Sequence, residues 1–119
     1  MTVKINTKDG QIELSDDVIA TVVGGSATEI FGVVGMASQK MLTDGFYELL
    51  KKENYSKGVI VQNTDKGLSV DLYIVVSYGV KISEVVREIQ KRVKYTLEKA
   101  LNMDVASVNV YVQDIKVVR

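Results

Sequence analysis

The chain has 119 residues, and this length predicts a single domain that spans residues 1–119. It contains no histidine and no cysteine, which excludes the nucleophiles, near-neutral proton carriers and transition-metal ligands that these two side chains supply in enzymes. Its 15 basic residues balance its 15 acidic ones, which argues against binding driven by phosphate groups and mildly favours self-association or a protein partner.

The N-terminal third of the chain predicts a β-hairpin followed by a helix. Val3–Thr7 and Gln11–Leu14 alternate in hydrophobicity around Asp9-Gly10, a pair that is typical of a tight hairpin turn. Ser15 stands where a helix N-cap belongs, and apolar residues follow at helical spacing as far as Ile30-Phe31. The spacing therefore predicts a first helix that includes Ile30 and Phe31.

Glycines interrupt and end this first helix. Gly24 and Gly25 fall inside it, where each glycine costs about 1 kcal/mol relative to alanine, and we interpret them as a point of close packing against a neighbouring element. The helix ends at Gly32–Gly35. A short extended piece from Val33 to Ala37 and a second helix from Gly45 to Lys52 are predicted to follow.

The C-terminal half predicts a hairpin, a long helix and a final strand. Val59–Asn63 and Leu68–Tyr78 flank a turn that contains Gly67, and an amphipathic helix runs from about Glu84 to Leu101. The last strand is Val105–Gln113, continuing after a break near Asp114. A strand, a helix and a strand in this order favour a right-handed parallel crossover.

The predicted fold class is α+β. A mostly antiparallel sheet forms a single layer with helices packed on it, in the order hairpin, helix, helix, hairpin, helix, strand.

No pattern in the chain nominates a catalytic or metal site. Asp16 and Asp17 are the only adjacent acidic pair, and the dipole of the first helix already explains acids at its start. A serine nucleophile would need lysine or a carboxylate as its base, and the pair Ser56-Lys57 is typical of a surface loop. We predict no catalytic, cofactor-binding or metal-binding residue, no cofactor, and a protein that is not an enzyme.

One candidate interaction surface lies on the predicted strands. Tyr73 and Tyr111 are placed on strand faces opposite to the most apolar side chains. If the last strand lies near the hairpin, these rings form a polar-aromatic patch with Asn109 and Gln113, which is a composition that suits protein contacts. An ordinary half-exposed sheet face explains the same pattern.

Two further candidates involve a glycine pair and a basic helix. Gly32 and Gly35 match the GxxG spacing of a KH nucleic-acid-binding loop, but valine occupies both central positions and cannot neutralise a phosphate. Arg87, Lys91 and Arg92 could meet an anionic partner. Glutamates interleave with them at spacings of three and four residues, which favours a solvated, ion-paired face.

Several segments in order along nearly the whole chain carry a family resemblance: Ile12–Ala20, Gly32–Met36, Asn54–Val59, Asp71–Val80 and Val108–Ile115. Together they resemble the alkaline-shock-protein family, the general-stress or cell-envelope stress-response proteins of Gram-positive bacteria, and most closely its YloU-like branch. The resemblance implies a small cytoplasmic protein without known catalytic activity, which self-associates and is held near the membrane by a membrane-anchored partner. The family has no established site residues to carry over.

We therefore predict a non-enzymatic cytoplasmic adaptor linked to the cell-envelope stress response or homeostasis. It has no membrane span of its own, binds a protein partner that recruits it to the membrane, and forms a homo-oligomer. The first alternative is a KH-like nucleic-acid-binding module that uses the Gly32–Gly35 turn and the basic helix. The second is an accessory protein of fatty-acid or lipid metabolism, because the YloU-like branch is often encoded beside a fatty-acid kinase.

Overall fold

Two helices and six strands make up most of the structure, a computed structural model that describes residues 2–38, 49–50 and 52–117. The elements in chain order are β1 (Thr2–Thr7), β2 (Gly10–Ser15), α1 (Asp16–Thr28), β3 (Val33–Met36), a short 3-10 helix (Lys52–Gly58), β4 (Val59–Thr64), β5 (Gly67–Ser77), α2 (Ile82–Lys99) and β6 (Val105–Lys116).

Strand β5 is the centre of the main four-stranded sheet. β6 runs parallel to β5 from the pair Leu68–Val105 to the pair Ser77–Lys116, so it occupies one edge of β5 over nearly its whole length. β4 and β3 run antiparallel to β5 and share the other edge, β4 along the first half of β5 and β3 along the second. The α+β class is confirmed, and β5, α2 and β6 form the predicted parallel crossover.

The sheet and the second helix differ in detail from the prediction. The hairpin of β1 and β2 forms a separate two-stranded sheet. Most of the predicted helix from Gly45 to Lys52 lies outside the described residues. Leu49, which that helix includes, instead forms an antiparallel bridge with Ala37. The helical segment that the structure shows near this position is the 3-10 helix that begins at Lys52.

The core lies between one face of the main sheet and the helices. Alternate residues of β5 point into it, and Val70, Leu72, Ile74 and Val76 are fully buried. The side chains that pack with them come from both helices: Ile19 and Val23 from α1, and Ile89, Val93 and Leu97 from α2. No polar or charged residue is buried in the part of the chain that the structure describes. The residues that alternate with these, such as Asp71 and Tyr73, lie on the face of β5 that points away from the helices.

Local signals in the sequence explain where the helices begin and end. The Ser15 hydroxyl accepts a hydrogen bond from the Val18 amide at 3.2 Å, which caps α1 as predicted. A Cβ on Gly24 would lie 2.8 Å from the Cβ of Tyr55 in the 3-10 helix, so the predicted close packing is confirmed at this glycine. Asn102 after α2 has a φ of 54°, the left-handed conformation expected of a helix terminator.

Candidate interaction surfaces

The face of β5 and β6 that points away from the helices carries matched side chains. The parallel register sets Ser69 beside Ser107 and Asp71 beside Asn109. The two serine hydroxyls lie 2.7 Å apart, and Asn109 Nδ2 donates to Asp71 Oδ1 at 2.8 Å. These polar groups are satisfied within the chain, so they hold the two strands together in this register.

Tyr73 and Tyr111 form the next cross-strand pair on this face. Their ring centroids are 4.9 Å apart and the ring planes differ by 16°, so the rings stack on each other. Burial raises the pKa of the Tyr73 phenol, and the nearby Asp71 carboxylate and the Tyr111 phenol raise it further. The Tyr73 phenol is therefore neutral around neutral pH and available as a hydrogen-bond donor.

The predicted tyrosine patch is thus assembled, with one exception. The structure brings Tyr73, Asn109 and Tyr111 together on one face, as the alternation of the strands predicts. Gln113 falls at a register shift of β6, where Ile74 pairs with Val112 but Val75 pairs with Asp114. It therefore has no paired residue on β5. The role of this face in binding stays a prediction.

A second surface surrounds Phe31, just beyond the end of α1. The sequence pattern includes Phe31 in the first helix, and this prediction is wrong, because α1 ends at Thr28. The Phe31 side chain is 91% exposed. Its neighbour Ile30 remains buried. Sequence periodicity did not predict this exposed aromatic side chain, because helical spacing gives no information about a residue in a turn.

Two apolar grooves meet at Phe31. The larger, of about 480 Å³, lies between the end of α1 and the first turns of α2, where Ile30 and Val85 form part of its wall. The smaller, of about 310 Å³, is lined by Val33 and Val34 among others. Phe31 and Val80 line both grooves. We call this area the Phe31 surface.

Gly32 shapes the turn that presents Phe31. Its φ is +100°, a conformation that residues with a Cβ rarely adopt. A Cβ at this position would lie 3.0 Å from Val85 Cγ2 and 3.2 Å from Val80 Cγ1, so the turn can pack against α2 only because the residue is glycine. Gly32, one of the predicted candidate residues, thus has a structural role next to the Phe31 surface.

The predicted GxxG turn is not formed. Gly35 lies inside β3, opposite Val75, and only Gly32 is in the turn. A KH loop needs both glycines in a loop that can approach a nucleic-acid backbone. The KH-like alternative therefore loses its structural basis. The predicted extended piece beginning at Val33 is confirmed.

Charged side chains surround the larger groove. Arg92 on α2 forms an ion pair with Glu29 at the end of α1, with Nη1 and Oε2 3.2 Å apart. Lys81 and Glu84 pair at 3.6 Å. Glu88 also lines the groove and takes part in no ion pair with another described residue, so the rim carries one excess negative charge.

The predicted basic face of α2 is exposed. Arg87, Lys91 and Arg92 all lie on the solvent side of the helix, and only Arg92 belongs to the Phe31 surface. Lys91 lines a separate shallow groove with Tyr95 and Glu98. The spacing predicts that glutamates of α2 pair with these basic residues. Among the described residues, the ion pairs that involve α2 are Lys81–Glu84 and Arg92–Glu29, so no glutamate of α2 pairs with Arg87, Lys91 or Arg92.

Within residues 2–38, 49–50 and 52–117, acidic side chains form no group of three or more that could hold a metal ion. Neither described helix is both long enough and apolar enough to cross a membrane.

The fold defines a small α+β protein, and comparison with known proteins identifies its family. Residues 4–117 match the model of the alkaline shock protein 23 family, described as having a cell envelope-related function. The match covers almost the whole chain. The chain belongs to this family.

Curated relatives support this assignment. An uncharacterized protein of Streptococcus pyogenes is 71% identical over 99% of this chain and 98% of its own length. The uncharacterized protein YloU of Bacillus subtilis is 48% identical, over 98% of both chains. A stress response regulator gls24 homolog of Streptococcus pyogenes is 30% identical, and the match covers 90% of this chain but only 59% of that protein. No solved structure matches the chain.

Proposed function

We propose that this protein is a non-enzymatic adaptor of the cell-envelope stress response, which works in the cytoplasm and is recruited to the membrane by a protein partner that covers Phe31. The family supplies the link to the cell envelope, and the name of the gls24 relative supplies the link to stress. The observation that carries the adaptor role is the 91% exposure of the Phe31 side chain between two apolar grooves.

Burial of Phe31 would supply a useful part of a binding energy. Covering a phenylalanine side chain is worth about 1.5–3 kcal/mol, and aromatic anchors seated among apolar neighbours are the usual hot spots of protein interfaces. The Gly32 carbonyl accepts a hydrogen bond from the Ser77 amide at 2.8 Å, so the backbone beside Phe31 is held in place and loses little freedom on binding.

The surface also indicates the chemistry of the partner. An apolar segment would lie along the grooves and cover Phe31 and Val80. The excess negative charge of the rim at Glu88 suits a basic residue at the edge of that segment. The tyrosine face of β5 and β6 is the weaker candidate, because its polar groups already bond to one another.

Membrane recruitment tests the proposal. In cells, we expect the wild-type protein to appear in the membrane fraction and Phe31→Ser to move to the soluble fraction. Phe31→Ser should fold as well as the wild type, because the replaced side chain is exposed. Tyr95→Ser is the matched control: Tyr95 is 63% exposed and lies outside the Phe31 surface, so the variant should stay at the membrane.

Two results would contradict the adaptor role. One is a wild-type protein that stays entirely in the soluble fraction under envelope stress. The other is equal partitioning of the Phe31→Ser and Tyr95→Ser variants. Purified protein whose melting temperature rises with added fatty acid would instead support the alternative of a lipid-linked accessory protein.

A further inference from the structure

Strand β6 has one edge that pairs with no other strand in the part of the chain that the structure describes. Among the residues that the structure describes, β6 pairs only with β5, and no strand lies along the other side of its 12 residues. Such an edge is a template for another strand. Proteins protect edges with proline, with lysines or with bulges. Between its two register shifts β6 has none of these, because Ser107–Val112 contains neither proline nor a charged residue.

The backbone groups that face outward can be identified from two hydrogen bonds. The Val108 carbonyl accepts from Gln90 Nε2 at 2.9 Å, which places it on the side away from β5. The Lys116 carbonyl accepts from the Tyr78 amide at 2.8 Å and therefore faces β5. Since outward and inward residues alternate and the register shifts at Gln113, Val108, Val110 and Val112 present their amides and carbonyls to the open edge.

The sequence of this edge is complementary to itself in one antiparallel register. The regular part of β6 runs between register shifts near Ala106 and Gln113, and Val110 lies near its middle. A two-fold axis at Val110 opposes Val108 with Val112 of a second copy. The same axis opposes Asn109 with Tyr111, so apolar residues meet apolar ones and polar residues meet polar ones.

Charge selects this register over its neighbours. With the axis at Val110, Lys116 near the C-terminal end of one β6 lies opposite Asp104 near the N-terminal end of the other. A slip of the pairing by two residues in one direction opposes Asp114 to Asp104, two like charges. A slip in the other direction removes the pairing of Lys116 with Asp104 and sets Asp114 against Val108.

We propose that β6 pairs antiparallel with β6 of a second copy of this chain, with the two-fold axis at Val110, so that the two main sheets become continuous. The Val112 amide of one copy then donates to the Val108 carbonyl of the other. That carbonyl can keep the hydrogen bond from Gln90, because a carbonyl oxygen has two lone pairs. This inference goes beyond the adaptor role and does not involve the Phe31 surface.

A cysteine crosslink tests the position of the axis. The chain has no cysteine, so Val110→Cys introduces a single thiol. Directly opposed residues of a hydrogen-bonded antiparallel pair have Cα atoms about 5.5 Å apart, within the range of a disulfide. We expect oxidation of the full-length Val110→Cys protein to give a covalent dimer, and Tyr95→Cys to remain mostly a single chain.

A charge swap tests the register without touching the core. Lys116→Glu would oppose like charges at both ends of the paired strands, and we expect it to weaken the dimer by about fivefold to thirtyfold in sedimentation or light scattering. The double variant Lys116→Glu with Asp104→Lys restores opposite charges and should recover the wild-type dissociation constant. Both residues are exposed, so folding should not change.

The outcomes separate this proposal from the adaptor role. A wild-type protein that sediments as a single chain at millimolar concentration overturns the pairing. So does a dimer that neither crosslinks at position 110 nor responds to the charge swap, because it uses another surface. Phe31→Ser should leave the dimer intact, and Lys116→Glu should leave the Phe31 surface intact, so each proposal can fail alone.

Discussion

Gly24 and Gly25 are sequence neighbours in α1 with different surroundings. A Cβ on Gly24 would come within 2.8 Å of the Tyr55 Cβ, whereas a Cβ on Gly25 would meet nothing within 4 Å beyond its own helix. The sequence predicts close packing at the pair, and the structure assigns it to Gly24. A propensity argument cannot make this distinction, because it depends on where the 3-10 helix lies in space.

The two glycines therefore provide matched variants. Gly25→Ala should raise the free energy of unfolding by about 0.5–1 kcal/mol, because alanine favours the helix and finds open space. Gly24→Ala should lower it by about 1–3 kcal/mol, because the added methyl group pushes against Tyr55. Urea unfolding of both variants measures the difference. Equal effects of the two substitutions would show that α1 and the 3-10 helix do not pack as described.

At the scale of the elements, β5 and β6 are joined by side-chain rungs as well as by their backbones. Alternation in the sequence is enough to place Tyr73 and Tyr111 on comparable faces. The parallel direction of the two strands follows from the crossover, which the order strand, helix, strand also predicts. The register that pairs Tyr73 with Tyr111 comes from the structure. What alternation cannot give is the register shift at Gln113, because a bulge depends on the geometry of both strands.

The tyrosine rung should be a source of stability. In a double-mutant cycle of Tyr73→Leu and Tyr111→Leu, we expect a coupling energy of about 0.5–1.5 kcal/mol, the range for stacked aromatic pairs. Membrane recruitment should be unchanged in variants that remain folded. Zero coupling would contradict a stabilising stack, and loss of recruitment without loss of stability would instead make the tyrosine face a binding site.

At the scale of the whole molecule, the balance of charge and the place of the glycines point away from nucleic acid. The chain has no net charge, and Gly35 is fixed in β3. The absence of net charge is evident from the composition alone. The position of Gly35 needs the structure, because the spacing of two glycines does not say whether a loop or a strand contains them.

We therefore expect no salt-sensitive binding of single-stranded RNA. A fluorescence titration at low salt should show no saturable signal, and Arg87→Glu, Lys91→Glu and Arg92→Glu together should not change the result. Saturable binding that weakens with salt and disappears in this triple variant would restore the nucleic-acid hypothesis.

The order in which β5 finds its neighbours has a consequence for synthesis of the chain. β4 reaches β5 through a two-residue turn, and α2 separates β5 from β6. During translation, β4 and β5 can therefore pair while the sequence of β6 is still inside the ribosome. Until the chain is released, one edge of β5 and the apolar stripe of α2 have no final partner. The last strand to be made completes the sheet, so a truncated chain that lacks β6 should accumulate as aggregate in the cell.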